Sequence, residues 1–387
     1  MRIGNYLRGW RLSIAVAVFT GVILGAGTIV ARDDDERDER GNWGAVYTLT
    51  NDPHGNQLAV FERDAQGLLA APAFVPTGGN GTGTGLGNQG ALALGEDADY
   101  LYAVNPGSNT ITVFQLGHQG PQAVQVIGSG GVRPISLTIS DDLLYVLNAG
   151  GATAGGADSI AGFEIGETGR LAPLPNSGAH LSAASTGPAQ IGFNANGTVL
   201  TVTEKATNTI SLFAVNHKGL PAERKSVASV GKTPFGFAFT RDDLLVVSEA
   251  FGGVAKAGAV SSYELESDTG SLDAISASVP TNQTAACWIA IPANGAYAYT
   301  SNTASRTVTG YKIAGSGKLT SLNANGITAT TGATPTDLTV LGNRVLYVLN
   351  SGDGSVGAYG IGKGGALTVG RAFGGLPRTA PTGLVVR

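Results

Sequence analysis

One pentapeptide, LYVLN, occurs twice in the chain, at Leu144–Asn148 and Leu346–Asn350. Related pentapeptides, each a run of strand-forming residues with a polar last residue, lie at 101–105, 200–204, 245–249 and 298–302. Their last residues are spaced 43, 56, 45, 53 and 48 positions apart along the chain. A repeat of this length indicates one supersecondary unit per repeat.

A second marker recurs upstream of the pentapeptides in the same period. It starts at Pro134, Pro188, Pro234, Ala286, Pro335 and Pro381, and each start is followed by alternating residues. The alternation predicts an inner strand, and the pentapeptide predicts the second strand of the unit. Third strands are predicted at 110–114, 209–213, 307–311 and 355–359, and weaker outer strands follow them. Four-stranded units with this period are typical of a β-propeller.

The number of units predicts an all-β, seven-bladed propeller of four-stranded blades over residues 43–387. Blade one begins at 45–49 with a second strand and lacks an inner strand, whereas 381–386 is an inner strand with nothing after it. We therefore predict that the C-terminal strand pairs into blade one and closes the ring. Closure removes a sheet edge that would otherwise be open.

The composition excludes several other classes of protein. The chain has 59 glycines, 42% hydrophobic residues and only 13% charged residues, which argues against disorder and against a long helical protein. The net charge is −4 and there is no basic tract, so nucleic acid is not an expected partner. The single cysteine cannot form an internal disulfide. We expect a monomer.

The N-terminal residues 1–31 are predicted to direct export. Arg2, Arg8 and Arg11 precede an uncharged run over 12–30, and Ala31 ends a suitable cleavage site. A cleaved signal peptide and an uncleaved membrane anchor both fit this pattern. Residues 32–42 are predicted to form a charged, disordered stalk. The propeller is therefore expected outside the cytoplasm, secreted or periplasmic, with the membrane reached only through an uncleaved anchor.

The pentapeptides and the segment Gly187–Phe193 (GPAQIGF) resemble the lactonase family of seven-bladed propellers, over nearly all of residues 44–387. The resemblance implies a 6-phosphogluconolactonase-like or carboxymuconate-lactonising activity. In that family the equivalent inner strand often reads Gly-Pro-Arg-His, the next strand ends in Glu, and another His lies on the preceding inner strand. The aligned positions of this chain hold Ala189, Gln190, Glu204, Ile135 and Ser136. Only the Glu is matched, and the usual His and Arg are not.

Two carboxylates are the predicted catalytic residues. Inner and second strands are antiparallel, so the start of one and the end of the next meet on one face of the ring. Glu204 and Glu249 end the second strands of neighbouring blades, where the other pentapeptides have Asn. Two nearby carboxylates raise the pKa of one of them, which then serves as a general base. The alternative is that each holds a loop through a basic neighbour such as Lys205.

The same face is predicted to bind a substrate. The predicted substrate-binding residues are Arg133, Ser136, Gln190, Trp288 and Asp337. For Trp288, packing between blades is the alternative. Residues 77–90 are predicted to form a flexible loop on this face and are a candidate lid.

No cofactor and no metal ion are predicted. The Gly-x-Gly-x-x-Gly motif at 85–90 precedes a strand and not a helix, which argues against a dinucleotide site. The four histidines are far apart and have no metal-ligand spacing.

Two functions follow from these observations. The first is an exported lactonase-like enzyme that hydrolyses or isomerises a lactone or related small anion at the channel mouth. The second is a non-catalytic ligand-binding or scaffold propeller outside the cytoplasm, including rigid display on a surface. A small molecule such as a lactone or a sugar acid is the expected partner.

Overall fold

The structure is a computed structural model that describes residues 44–151, 155–266, 270–368 and 370–387. The predicted signal or anchor and the predicted stalk therefore lie outside the described residues. Within the described part of the chain, no helix is long and apolar enough to cross a membrane.

Seven antiparallel sheets form the blades, and in every blade except the first the strands follow one another along the chain. In chain order, with blades separated by semicolons, the strands are β1 (Ala45–Leu49), β2 (Gln57–Glu62), β3 (Ala73–Pro76); β4 (Leu92–Leu94), β5 (Tyr100–Asn105), β6 (Thr110–Gly117), β7 (Gly120–Gly128); β8 (Pro134–Ser140), β9 (Leu143–Asn148), β10 (Ser159–Ile165), β11 (Leu171–Pro173), β12 (Ala179–His180); β13 (Pro188–Phe193), β14 (Val199–Glu204), β15 (Thr209–Ala214), β16 (Lys225–Ala228); β17 (Pro234–Phe239), β18 (Leu244–Glu249), β19 (Ala259–Glu266), β20 (Ser271–Pro280); β21 (Ala286–Ala290), β22 (Tyr297–Asn302), β23 (Thr307–Ile313), β24 (Leu319–Ser321), β25 (Ala329–Thr330); β26 (Pro335–Leu341), β27 (Val345–Asn350), β28 (Ser355–Gly360), β29 (Arg371–Gly374); and finally β30 (Thr382–Val386). Short 3-10 turns lie at Phe251–Gly253 and Lys363–Gly365. The prediction of a seven-bladed, all-β propeller is confirmed.

The last strand of the chain closes the ring, as predicted. β30 pairs antiparallel with β1, with Val386 opposite Val46 and Thr382 opposite Leu49. Two backbone hydrogen bonds join Ala45 and Arg387, with N···O distances of 3.2 and 2.9 Å. Blade one thus takes its inner strand from the C-terminus and its other three strands from residues 45–76.

Tyrosines of the second strands link adjacent blades. Tyr102, Tyr145, Tyr299 and Tyr347 are each buried, and each hydroxyl donates a hydrogen bond to the carbonyl of a glycine in the next blade. The four acceptor glycines are Gly169, Gly219, Gly365 and Gly67. All four have φ between +67° and +80°, a backbone region that favours glycine. The LYVLN pentapeptides thus supply blade-to-blade contacts as well as strands.

Deletion of residues 381–387 is expected to abolish the cooperative unfolding transition, because blade one loses its inner strand and β1 gains an unpaired edge. Differential scanning calorimetry measures the transition. A chain that lacks seven residues of the predicted stalk is the control and is expected to melt as the full chain does. An unchanged midpoint after the C-terminal deletion would mean that the ring closes in another way.

Candidate functional site

The glycine-rich segment at 85–90 runs into the centre of the ring. Asn88 is 2% exposed and Gln89 is 8% exposed. The inner strand of blade two is correspondingly short, since β4 begins only at Leu92. Residues 86–90 are called the plug from here on. The prediction of a flexible lid is wrong for this part of the loop, because Asn88 and Gln89 are buried among the inner strands.

Asn88 connects the plug to three blades. Its side-chain amide donates a hydrogen bond to the carbonyl of Ile135 in blade three. Its side-chain oxygen accepts one from the Thr382 hydroxyl in blade one, at 3.0 Å. Its backbone carbonyl accepts one from the indole N–H of Trp288 in blade six, at 2.6 Å. The indole of Trp288 thus holds the plug.

Gln89 connects the plug to blades four and six. Its backbone N–H donates to the carbonyl of Ala189 at 3.0 Å. Its side-chain amide pairs with both backbone groups of Ile289, at 2.8 Å to the carbonyl and 3.1 Å from the N–H. Gly236 of blade five leaves room for this amide, because a Cβ at Gly236 would overlap Gln89 Oε1.

Gln190 and Ser136, both predicted to bind substrate, bridge neighbouring inner strands. The Gln190 amide pairs with both backbone groups of Phe237 in the next blade, at 3.0 and 2.8 Å. The Ser136 hydroxyl accepts a hydrogen bond from the N–H of Ile191 in the next blade at 3.2 Å. Both side chains therefore join the inner strands of neighbouring blades. Their part in binding a substrate stays a prediction.

Asp337 occupies the corresponding position of blade seven and is 2% exposed. Its carboxylate accepts hydrogen bonds from the N–H of Leu338, at 2.8 Å, and from the N–H of Leu384 in blade one. Burial raises the pKa of Asp337 well above its ordinary value, and the two N–H donors oppose that rise. Asp337 therefore joins blades seven and one at the seam where the ring closes.

Glu204 is fully buried and bonded within its own surroundings. Its carboxylate accepts hydrogen bonds from the hydroxyls of Ser182, Thr207 and Ser211, at 2.9 Å for Thr207 and 2.6 Å for Ser211. The N–H of Ser182 adds a weaker contact at 3.3 Å. The acceptor positions of Glu204 thus face side chains of the protein.

Glu249 is also fully buried and has a different set of partners. Its carboxylate accepts hydrogen bonds from the hydroxyls of Ser261 and Ser278 and from the N–H of Gly231, at 2.6 Å for Ser278 and 2.9 Å for Gly231. Burial raises the pKa of Glu249, and these three donors oppose the rise. The two glutamates share no hydrogen-bond partner, and their role as a catalytic pair stays a prediction.

The equivalent asparagines of other blades make similar contacts. The Asn105 side-chain N–H₂ donates to the hydroxyl of Thr112 at 2.8 Å, and that of Asn302 donates to the hydroxyl of Thr309 at 2.9 Å. Ser211 and Ser261 occupy the positions equivalent to these threonines and bond to Glu204 and Glu249, respectively. The end of the second strand is thus tied to the third strand in each case.

Lys205 follows Glu204 in the sequence and was expected there only as its ion-pair partner. Its ammonium instead donates to the carbonyls of Gly87 in the plug, at 2.6 Å, and of Pro188, at 2.7 Å. The nitrogen lies 4.9 Å from the centre of the Phe235 ring. Burial lowers the pKa of Lys205 to about 8. The nearby positive charge of Arg133 also lowers it, whereas Cys287 and Asp158 act in the opposite sense.

The position of Lys205 in its repeat distinguishes it from the equivalent residues of other blades. The residue directly after the pentapeptide is Pro106, Ala149, Lys205, Ala250, Thr303 or Ser351 in successive blades. Lys205 is the one cation among these six positions. The antiparallel order of the strands brings this position next to the start of the inner strand, on the predicted face of the ring.

Arg133 adds a second cation to this region. Its backbone adopts φ of +59°, and its N–H donates to the side-chain oxygen of Asn109 at 2.7 Å. Its side-chain Nε is buried and has no hydrogen-bond partner among the residues that the structure describes. Phe235 and Trp288, with ring centres 5.0 Å apart, provide an apolar wall beside Lys205. The arrangement suits an anion or a polarised carbonyl group.

A separate cleft lies on the other face of the ring, between blades five and six. It has a volume of about 810 Å³ and is lined by residues 240–244, 293–296 and 313–317 together with Glu264, Leu265 and Ile275. None of the predicted site residues lines it. Within the described ranges, no group of three or more His, Cys, Asp or Glu side chains is placed to hold a metal ion.

The substitution Glu249→Gln is expected to lower the free energy of unfolding by about 1–3 kcal/mol, because an amide cannot accept all three hydrogen bonds. Urea unfolding of the variant measures this, with exposed Glu264→Gln as the control. A catalytic role predicts the opposite pattern, in which lactone turnover is lost and the stability is unchanged.

The closed ring of seven antiparallel blades, five of four strands and two with a short fifth strand, defines the class of protein. The profile of the family "Lactonase, 7-bladed beta-propeller" matches residues 157–283 and 250–373, which together make up more than half of the chain. The chain therefore belongs to the lactonase family of seven-bladed β-propellers.

Solved structures with the same fold come from several bacteria. The periplasmic gluconolactonase of Pseudomonas aeruginosa is 16% identical, with a TM-score of 0.68 over 88% of this chain and 99% of that one. A candidate 6-phosphogluconolactonase of Bacteroides fragilis is 18% identical, with a TM-score of 0.66 over 89% and 98%. Another from Bacteroides uniformis is 14% identical, with a TM-score of 0.68 over 89% and 99%. At these identities the similarity shows the fold alone. A search among curated protein sequences finds no match.

Proposed function

We propose that this protein is an exported lactonase-like enzyme that binds a lactone or a related small anion beside the plug and hydrolyses it. The observation that carries the proposal is the ammonium of Lys205, which two backbone carbonyls hold beside the plug and whose pKa the positive charge of Arg133 helps to lower. Membership of the lactonase family supports the reaction class. Export rests on the apolar run at 12–30 and its flanking arginines.

Lys205 and Arg133 supply the chemistry that the family's usual His and Arg do not supply here. Hydrolysis of a lactone builds negative charge on the carbonyl oxygen, and a fixed cation stabilises that charge in the transition state. The ammonium of Lys205 has two protein acceptors for its three N–H groups, which leaves one donor for a ligand. The half-buried guanidinium of Arg133 offers further charge-assisted bonds to a carboxylate or phosphate.

Basic and acidic side chains both surround the proposed site. The described loops on this face carry Arg133, Lys205, Lys232, Lys256, Arg306 and Arg378. The acidic loop residues of the same face are Asp52, Asp158 and Asp353. Asp158 is committed to the protein, because it accepts hydrogen bonds from Gly151 and Thr186. Glu204, Glu249 and Asp337 lie on the same face, so its formal charges balance and the proposal rests on Lys205 and Arg133, not on a surplus of charge.

Binding without turnover is the second candidate function. It is favoured by the hydrogen bonds of Glu204 and Glu249, which leave neither carboxylate without protein donors. In the proposal, one of these glutamates still serves as the base that activates water. Measured hydrolysis of a lactone separates the two candidates.

The substitution Lys205→Met is expected to weaken gluconate binding at pH 7 by about tenfold or more, because one charge-assisted hydrogen bond is lost. In the unaltered protein the affinity is expected to fall as the pH rises through about 8, where the ammonium loses its proton. Isothermal titration calorimetry measures both effects, and exposed Lys218→Met on the opposite face of the ring is the control. Equal affinities of the two variants would contradict the proposed site.

A further inference from the structure

The amino group of Lys205 has an unusual set of neighbours for a lysine. Its two protein acceptors are both backbone carbonyls, Gly87 O at 2.6 Å and Pro188 O at 2.7 Å. A neutral amine carries two N–H groups and one lone pair. Loss of the third proton therefore preserves both hydrogen bonds to the protein and leaves a lone pair in the remaining tetrahedral direction.

No carboxylate forms an ion pair with this amine in the described part of the chain. Glu204, the preceding residue, is bonded to Ser182, Thr207 and Ser211. Asp158 lowers the cost of the charge from a distance, but its oxygens accept hydrogen bonds from Gly151 and Thr186.

The remaining charged and titratable neighbours act on the pKa of Lys205 in opposite directions, and burial outweighs them. Arg133 repels the ammonium and lowers the pKa of Lys205. The neighbouring Cys287 raises the pKa of Lys205, while burial raises the pKa of the Cys287 thiol itself to about 12. With a pKa of about 8, a substantial fraction of Lys205 is neutral and nucleophilic in mildly alkaline solution.

We propose that Lys205 is a covalent acylation site, at which Nζ opens the ring of a bound lactone and keeps the acyl group as an amide. The lone pair attacks the lactone carbonyl carbon, a C–N bond forms and the ring C–O bond breaks. The nitrogen loses one proton and the released ring oxygen takes up one, so no further reactant is needed. The protein gains the full mass of the lactone.

The proposal rests on the proposed function for the identity of the lactone, but not for the nucleophilicity of the amine. An amide is not readily released by water, so the adduct is a slow side product of a lactone-binding site and not an intermediate of turnover. Prolonged exposure to a lactone is therefore expected to inactivate the protein progressively.

The first experiment measures the amine without any lactone. The full chain is labelled with trace acetic anhydride at several pH values, and acetylation of each lysine is quantified by mass spectrometry. Labelling of Lys205 is expected to follow a titration with a midpoint near 8 and to exceed that of exposed Lys232 severalfold at neutral pH. Labelling of Lys205 at or below the level of Lys232 at every pH would overturn the proposal.

The second experiment uses δ-gluconolactone as the probe. Intact-mass analysis is expected to show one added lactone, and peptide mapping is expected to place it on Lys205. The variants Lys205→Arg and Lys205→Met are expected to lose this adduct, whereas Lys232→Arg keeps it, and a melting curve checks that each variant is folded. An adduct spread over the exposed lysines, or none on Lys205, would overturn the proposal.

Measurement of lactone turnover distinguishes failure of the acylation proposal from failure of the proposed function. Hydrolysis of δ-gluconolactone without a Lys205 adduct supports the enzyme and refutes the acylation site. An adduct on Lys205 without hydrolysis supports the acylation site and refutes the enzyme.

Discussion

The inner strands of a propeller have no strand partner on the side that faces the axis, and this constraint shapes the centre of the molecule. Buried backbone N–H and C=O groups must find partners there, because leaving them unpaired is costly. Side chains supply these hydrogen-bond partners. Ser136, Gln190 and Asp337 each bond to the backbone of the next inner strand around the ring. In blade five the equivalent residue is Gly236, which has no side chain to bond to the next inner strand. Gln89 of the plug pairs with the backbone of Ile289 instead.

The plug contacts both the inner strands and the candidate site. The same short segment that satisfies the inner strands also presents the carbonyl of Gly87 to Lys205 and that of Asn88 to Trp288. The burial of Lys205, and hence its lowered pKa, depends on the plug and on Phe235 beside it. A structural requirement at the axis thus creates a desolvated amine next to Arg133, which is the basis of the proposed lactone site.

The sequence predicts the blades well because their determinants are local. The pentapeptides mark the second strands, and the unmatched strands at the two ends predict the closure that β1 and β30 make. The plug could not be predicted, since glycines at 85–90 indicate a flexible turn but not its direction. Its partners Ile135 and Ile289 are 47 and 200 residues away along the chain. Lys205 was predictable from its position after the pentapeptide, but its neighbours on the plug were not.

The free energy of unfolding of the Gln89→Ala variant tests most directly whether the plug completes the inner ring. Truncation leaves both backbone groups of Ile289 without their partner, so a loss of about 2–4 kcal/mol is predicted relative to the full chain. The exposed Gln66→Ala variant is the matched control and is predicted to stay within about 0.5 kcal/mol of the full chain. Equal stabilities of the two variants in urea would contradict the claim that the plug satisfies the inner strands.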